Sequence, residues 1–229
     1  MSKTLTVMQT NVGNMVQDTS TSFAVLIKVW LNDKYQDISR RHNWSALIDD
    51  NYTDATEVGV AEYNLPSDFE EELFVADTTD GFYLKRQTEG LWWRERAEAY
   101  LAGTIQGGTA RNYVILRETS KLKLDPTPDK IHTIAMPYKK SFTALSATID
   151  VPVIKDIEVI MELGATSMAE AYKKQFAKAG MYMQLYEQEL ARRIGQERSP
   201  VNQSFQFIPE RADPSAIMPM TGWGSYDTI

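Results

Sequence analysis

The chain has 229 residues, 43% of them hydrophobic and 24% charged, which supplies apolar material for one large or two small folded units and excludes a wholly disordered chain. Its formal net charge of −7 makes it a poor non-specific ligand for DNA or anionic membrane. It contains no cysteine, which excludes disulfides, thiol catalysis and cysteine-based zinc sites and is compatible with assembly in a reducing cytoplasm.

The opening segment, MSKTLTVMQTNVGNM, has no sustained apolar run, so no signal peptide is expected. Leu5 to Val16 reads as a short helix with Leu5, Met8, Val12 and Met15 on one side. Ser20, Thr21 or Ser22 then supplies an N-cap. In the next helix Phe23, Leu26, Ile27, Trp30, Leu31, Tyr35 and Ile38 form the buried stripe, and the helix ends near Arg41 and His42. Its apolar run from Phe23 to Leu31 is interrupted by Lys28 and is too short to cross a bilayer. Trp44, Leu47 and Ile48 are expected to pack back as a helical turn.

From Asn51 the period changes to that of strands. Thr56 to Tyr63 is read as a strand weakened by Gly59, and Asn64 to Asp68 as a turn. Further strands are expected at Glu71 to Val75 and Phe82 to Arg86, joined by a Thr79-Asp80-Gly81 hairpin turn. Thr88 caps a helix that runs to Ala102 and stops at Gly103, and Gly107-Gly108 is placed in a loop. Asn112 to Arg117, Lys121 to Leu124 and Ile131 to Lys139 complete an antiparallel set.

Asp150 is a candidate cap for the last and longest helical pattern, Val153 to Gln196. There Ile157, Ile160, Met161, Met168, Tyr172, Phe176, Ala179, Tyr182, Tyr186, Leu190 and Ile194 recur at steps of mostly three or four. A continuous helix over that span is about 65 Å long, longer than a small domain is wide. Part of its stripe is therefore expected to pack on something besides its own domain. Gly164 and Gly180 are the weak points, with a break or bend expected near Gly164.

The usual signatures of catalysis are missing. His42 reads as a cation at a helix C-terminus and His132 as a packed or surface strand residue. The glycine cluster from Gly103 to Ala110 lacks the Lys and the following helix of a phosphate loop. The acidic run Asp68 to Glu72 reads as a solvated face, and of Trp92 and Trp93, neighbours on a helix, one is expected in the core and one on the surface. No catalytic residue, metal ligand or cofactor is assigned. The segment after Arg198 is different again: Pro200, Pro209, Pro214 and Pro219 keep it extended, yet it is rich in large apolar side chains. Phe205, Phe207, Ile208, Met218, Met220, Trp223 and Tyr226 are the candidates for binding a partner or neighbour.

In chain order, LNDKYQDISRRHNWSAL is followed by YNLPSDFEE, TEGLWWRERAEAY, IAMPYKKSFTALSATIDVPVI and IMELGATSMAEAY. This series resembles the head-to-tail connector, or adaptor, proteins of tailed bacteriophages. The residues that carry the resemblance are Arg41 to Trp44, Tyr63 to Phe69, Pro137 to Lys139, Asp150 and Pro152. The resemblance implies a non-enzymatic virion neck component, assembled in the host cytoplasm as a homo-oligomeric, dodecameric ring in which Tyr172, Phe176, Tyr182, Tyr186 and Leu190 pack against the same helix of a neighbouring subunit. Such a ring binds the portal protein and the tail or neck proteins and passes DNA without sequence specificity. Its channel face is expected to be neutral to acidic, because phosphate contacts would retard the DNA.

The expected architecture is α+β and mainly α: a helical bundle with a long C-terminal helix, a small inserted antiparallel β region and an extended arm. Residues 1–50 with 140–197 make the body, 51–139 the inserted region with one helix, and 198–229 the arm. The alternative reading is a nucleic-acid-binding accessory protein that uses Trp92, Trp93, Arg94, Arg96 and Arg111.

Overall fold

The structure, a computed structural model, describes residues 2–101 and 107–198. Helix α1 (Leu5–Met15) buries Leu5, Met8 and Val12, and the Thr4 side chain caps it by accepting from the Val7 N–H. Met15, read onto the same side, is exposed. The Leu5 and Thr6 N–H groups donate to the carbonyls of Asp150 and Thr148, so a segment distant in sequence satisfies donors that a helix N-terminus leaves open. Helix α2 (Thr21–Arg41) buries Phe23, Ile27, Leu31, Tyr35 and Ile38 and carries Arg40 and Arg41 in its last turn, where cations complement the helix dipole. A 3₁₀ turn at Ser45–Leu47 follows, and Trp44 and Leu47 return to the core as expected.

The middle of the chain is cut into short strands: β1 (Ile48–Asp49), β2 (Thr53–Ala55), β3 (Glu62–Asn64), β4 (Phe69–Glu72), β5 (Ala76–Asp77), β6 (Phe82–Tyr83) and β7 (Lys85–Arg86). After α3 (Glu89–Leu101) come β8 (Gly107–Gly108), β9 (Asn112–Leu116), β10 (Lys121–Asp125), β11 (Thr127–Pro128), β12 (Thr133–Ala135) and β13 (Tyr138–Lys140). They form sheets in the orders β1-β13-β4, β2-β12-β5-β6 and β3-β10-β9-β7, and the pair β11-β8. Pairing is antiparallel except for β7 with β9 and β11 with β8.

Two expected strands are divided. Ile131 to Lys139 becomes β12 in one sheet and β13 in another, because Pro137 between them has no N–H for a ladder. Its carbonyl still accepts from Leu73, at the matching point where β4 gives way to β5. Phe82 to Arg86 splits around the buried Leu84. Thr56 to Tyr63 is mostly a turn between β2 and β3, in which Gly59 adopts φ 79°. The Gly107-Gly108 loop is a short parallel pairing with Thr127–Pro128, and the expected helix stop at Gly103 lies outside the described residues. The Thr79-Asp80-Gly81 turn forms as read, with Gly81 at φ 73°.

The last helical pattern is two helices, not one rod. α4 (Glu158–Tyr172) and α5 (Phe176–Glu197) lie antiparallel, with Ser167 donating to the Ala179 carbonyl at 2.8 Å and Arg193 reaching the Lys155 carbonyl at 3.3 Å. The reversal lies at Lys173 to Gln175. Lys174 takes φ 61°, and the Gln175 N–H returns 2.8 Å to the Glu170 carbonyl, the pattern that closes a helix with a left-handed residue. α4 runs through Gly164 without a break. A Cβ there would lie 2.8 Å from Lys34 Cγ and Cδ and 3.0 Å from Tyr186 Cδ2, so the glycine permits close approach of α2 and α5.

One apolar core joins Leu5 through Leu47 to Leu145 through Leu190, and a second lies among the strands, with Val75, Leu124, Ile134 and Met136 at its centre. The expected helical bundle with a small β region is therefore corrected. The chain is a mixed α+β fold with five α-helices and four sheets among the described residues. Strands of two to five residues are too short for alternation to register.

Candidate interaction surfaces

The residues from Arg41 to Trp44 lock the end of α2 to α5. Arg41 pairs with Asp37 at 3.0 Å and Glu187 at 2.7 Å, and the Tyr186 hydroxyl donates to Asp37 at 2.7 Å. Burial opposes ionisation of Asp37, but the Tyr186 and Arg41 hydrogen bonds outweigh it and hold the carboxyl below its usual range. Burial, reinforced by Asp37, pushes the Tyr186 phenol up. Trp44 is fully buried, donates from Nε1 to the Ile38 carbonyl at 2.8 Å, and carries the Arg193 guanidinium 5.5 Å from its ring. His42 packs edge-on to Trp44. Burial and nearby Arg198 lower its pKa, which favours a neutral packed ring over the expected cation at the helix end.

A second set of motif residues meets at the β4–β13 pairing. Tyr138 donates to Asp68 at 2.8 Å, its ring lies 5.7 Å from that of Phe69, and the Ser141 N–H donates to the Asp68 carbonyl at 2.6 Å. Burial, then Asp68, raises the Tyr138 phenol. The Tyr63 hydroxyl closes its own turn on the Val60 carbonyl at 2.8 Å. Asp150 does not cap a long helix, since α4 begins at Glu158. Its Oδ2 instead accepts from the Ser146 and Ala147 N–H groups, both at 2.7 Å. These motifs shape the body; they converge on no reactive group.

Surface available for a partner is found elsewhere. Tyr186 and Leu190, assigned to a neighbouring subunit, are 0% and 1% exposed within their own chain, which corrects that assignment. The α4–α5 reversal brought their stripe back onto α2 and α4. Tyr172 and Phe176 remain 64% and 70% exposed, and Tyr182 is half-buried. The Tyr172 ring lies 5.7 Å from Trp30; Val25 and Val29 on α2 and Met181 and Leu185 on α5 are also exposed. Phe205, Phe207, Ile208, Met218, Met220, Trp223 and Tyr226 lie outside the described residues.

The α3 residues divide as expected between core and surface. Trp92 is buried against Val114 and Leu116, whereas Trp93 is half-exposed. Lys123 Nζ lies 4.7 Å from the Trp92 ring and 5.3 Å from Trp93, and Arg96 stacks on Trp92. Arg94 is exposed, and Arg111 stands 4.3 Å over Phe82. The acidic run is only partly solvated: Glu72 is buried 3.0 Å from Arg86. Burial first, then Glu72, pushes the neighbouring Tyr113 phenol up to about 12.

Sequence reasoning missed one cluster. His132 is buried with its Nδ1 2.7 Å from Asp77 and 3.8 Å from Asp80. The Asp-x-x-Asp spacing at the hairpin was visible, but nothing local ties it to a histidine at the start of another strand.

The family model described as SU10 adaptor protein matches residues 3–204. No curated protein matches the chain.

Proposed function

The chain belongs to the SU10 adaptor protein family and is a phage structural adaptor; from that premise we propose that it forms a ring joining the portal to the tail or neck. DNA passes through the channel of this ring without sequence-specific contacts. The observation that carries the proposal is the uncovered apolar surface at the α4–α5 reversal and along α2. Tyr172, Phe176, Val25, Val29 and Met181 are each at least half-exposed, with Tyr172 in ring contact with Trp30. Exposed apolar groups mark interaction sites where they adjoin, as Tyr172 adjoins Trp30 at the reversal, and a second copy of the chain in a closed ring is the occupant we assign. Tyr172, Phe176 and Tyr182 supply inter-subunit packing, and the ring is dodecameric, as in the proteins the sequence resembles. The chain's net charge of −7 supports a neutral to acidic channel.

The residues from Pro200 onwards are the arm that binds the portal, through Phe205, Phe207, Ile208, Met218, Met220, Trp223 and Tyr226. Deletion of 200–229 leaves a folded body and abolishes docking, read by negative-stain microscopy with and without portal. Normal docking of the truncated protein refutes the arm, and a strict monomer in both conditions refutes the ring. The nucleic-acid-binding alternative loses support because Trp92 is 3% exposed and cannot stack on a base. Tight, salt-sensitive DNA binding in a low-salt gel shift would restore it.

A further inference from the structure

We propose that Asp77, Asp80 and His132 form a binding site for a first-row divalent cation, zinc in particular, where the β5–β6 hairpin meets the start of β12. Asp77 and His132 are 2% and 3% exposed. Asp77 Oδ1 already accepts the Thr79 and Asp80 N–H groups at 2.9 and 3.1 Å. Those bonds fix the carboxylate so that Oδ2 faces the imidazole. His132 Nδ1 lies 2.7 Å from that oxygen and 3.8 Å from Asp80 Oδ2, yet neither ring nitrogen makes an aligned hydrogen bond. A buried imidazole without a hydrogen bond is unfavourable, and the 2.7 Å contact with Asp77 leaves this one misaligned. A cation would satisfy both: one ligand atom from each residue lies within 4.8 Å of the others, and because two ligand atoms of one zinc lie at most about 4.2 Å apart, the exposed Asp80 side chain turns inward on binding.

The donor set selects the ion. One imidazole nitrogen and two carboxylate oxygens suit zinc and its first-row neighbours, whereas calcium and magnesium take all-oxygen shells. Asp80 is exposed, which leaves the solvent side open for water to complete the coordination. His132 Nε2 is buried without an acceptor. The ligand therefore lacks the outer hydrogen bond that strengthens metal-bound histidines, which weakens binding by about 10–100-fold. The ion would staple elements that already exchange bonds: Thr78 N–H to the Thr133 carbonyl and Thr133 N–H to Thr79 Oγ1, both at 2.9 Å.

The test is zinc chloride titration of the chelator-treated full-length protein by calorimetry, with thermal unfolding as a second readout. The expected result is one zinc per chain and a higher Tm with zinc. His132→Gln and Asp80→Asn each weaken binding at least about tenfold. Asp80→Asn changes an exposed side chain and keeps its backbone N–H, so an unchanged circular dichroism spectrum separates lost ligation from lost folding. No saturable zinc binding by the wild-type chain overturns the proposal, as does binding that is unchanged in both variants.

Discussion

Gly164→Ala is expected to destabilise the protein, although alanine is the better helix former. Replacing glycine within a helix gains about 1 kcal/mol from propensity. Against that, the new Cβ would meet Lys34 Cγ and Cδ at 2.8 Å and Tyr186 Cδ2 at 3.0 Å. Lys34 can swing away, at the expense of its position 4.8 Å over the Tyr186 ring. Tyr186 cannot, because it is fully buried and its hydroxyl is held 2.7 Å from Asp37. Overpacking of this kind costs about 1–3 kcal/mol, so the net loss is about 1 kcal/mol. With a urea m-value of about 2 kcal/mol/M, the midpoint falls by about 0.5 M at unchanged slope. Gly180→Ala is the internal control: nothing lies within 4 Å of its would-be Cβ, and the same substitution there stabilises by up to about 1 kcal/mol. The two variants are compared by urea denaturation of the full chain. A Gly164→Ala midpoint that rises alongside that of Gly180→Ala refutes the close-approach argument.

Trp44→Ala removes a fully buried side chain with a satisfied indole N–H and is expected to lose about 3–5 kcal/mol, measured by the same denaturation. Trp92→Ala should lower stability clearly. Trp93→Ala, at a half-exposed site, should shift it by less than about 1 kcal/mol; equal losses would contradict their assignment to core and surface. Tyr186→Phe tests the Asp37 network through pH. The folded pKa of Asp37 lies below the ordinary 3.8, so its contribution is complete above 3.8 and is lost as pH falls through the folded value. The stability gap between wild type and Tyr186→Phe should therefore be largest near neutrality and shrink in acid. A gap that stays constant into acid would place the hydroxyl's contribution elsewhere.

The helices were legible wherever one face of a single helix meets a core. α2 was readable from Phe23 to Ile38 because a long amphipathic period leaves many independent apolar positions in phase. Trp92 and Trp93 separated correctly because adjacent helical residues diverge by about 100°. The reversal after Tyr172 was not legible, since its left-handed position is occupied by Lys174 instead of glycine. The glycine that drew notice, Gly164, serves a contact that only the fold creates. The β region escaped for another reason. Its strands are held by partners from both ends of the segment, and at Leu73 the chain changes sheet without any change in local composition.

The candidate surfaces divide in the same way. The order of the motifs in the sequence was enough to indicate a phage adaptor, because a resemblance rests on the residues themselves; the contacts they make, such as the Tyr138–Asp68 bond across one strand pair, exist only in the fold. Which apolar residues remain for a neighbour was decided only by tertiary structure. Tyr186 and Leu190 share a helical period with Phe176, and nothing in that period separates them. Folding α5 back on α4 buries Tyr186 and Leu190 and leaves Phe176 in solvent. Likewise Asp77 stands in β5 and His132 just before β12, and they meet only through the β5–β12 pairing. Periodicity specifies the face of an element, whereas burial depends on what that face meets.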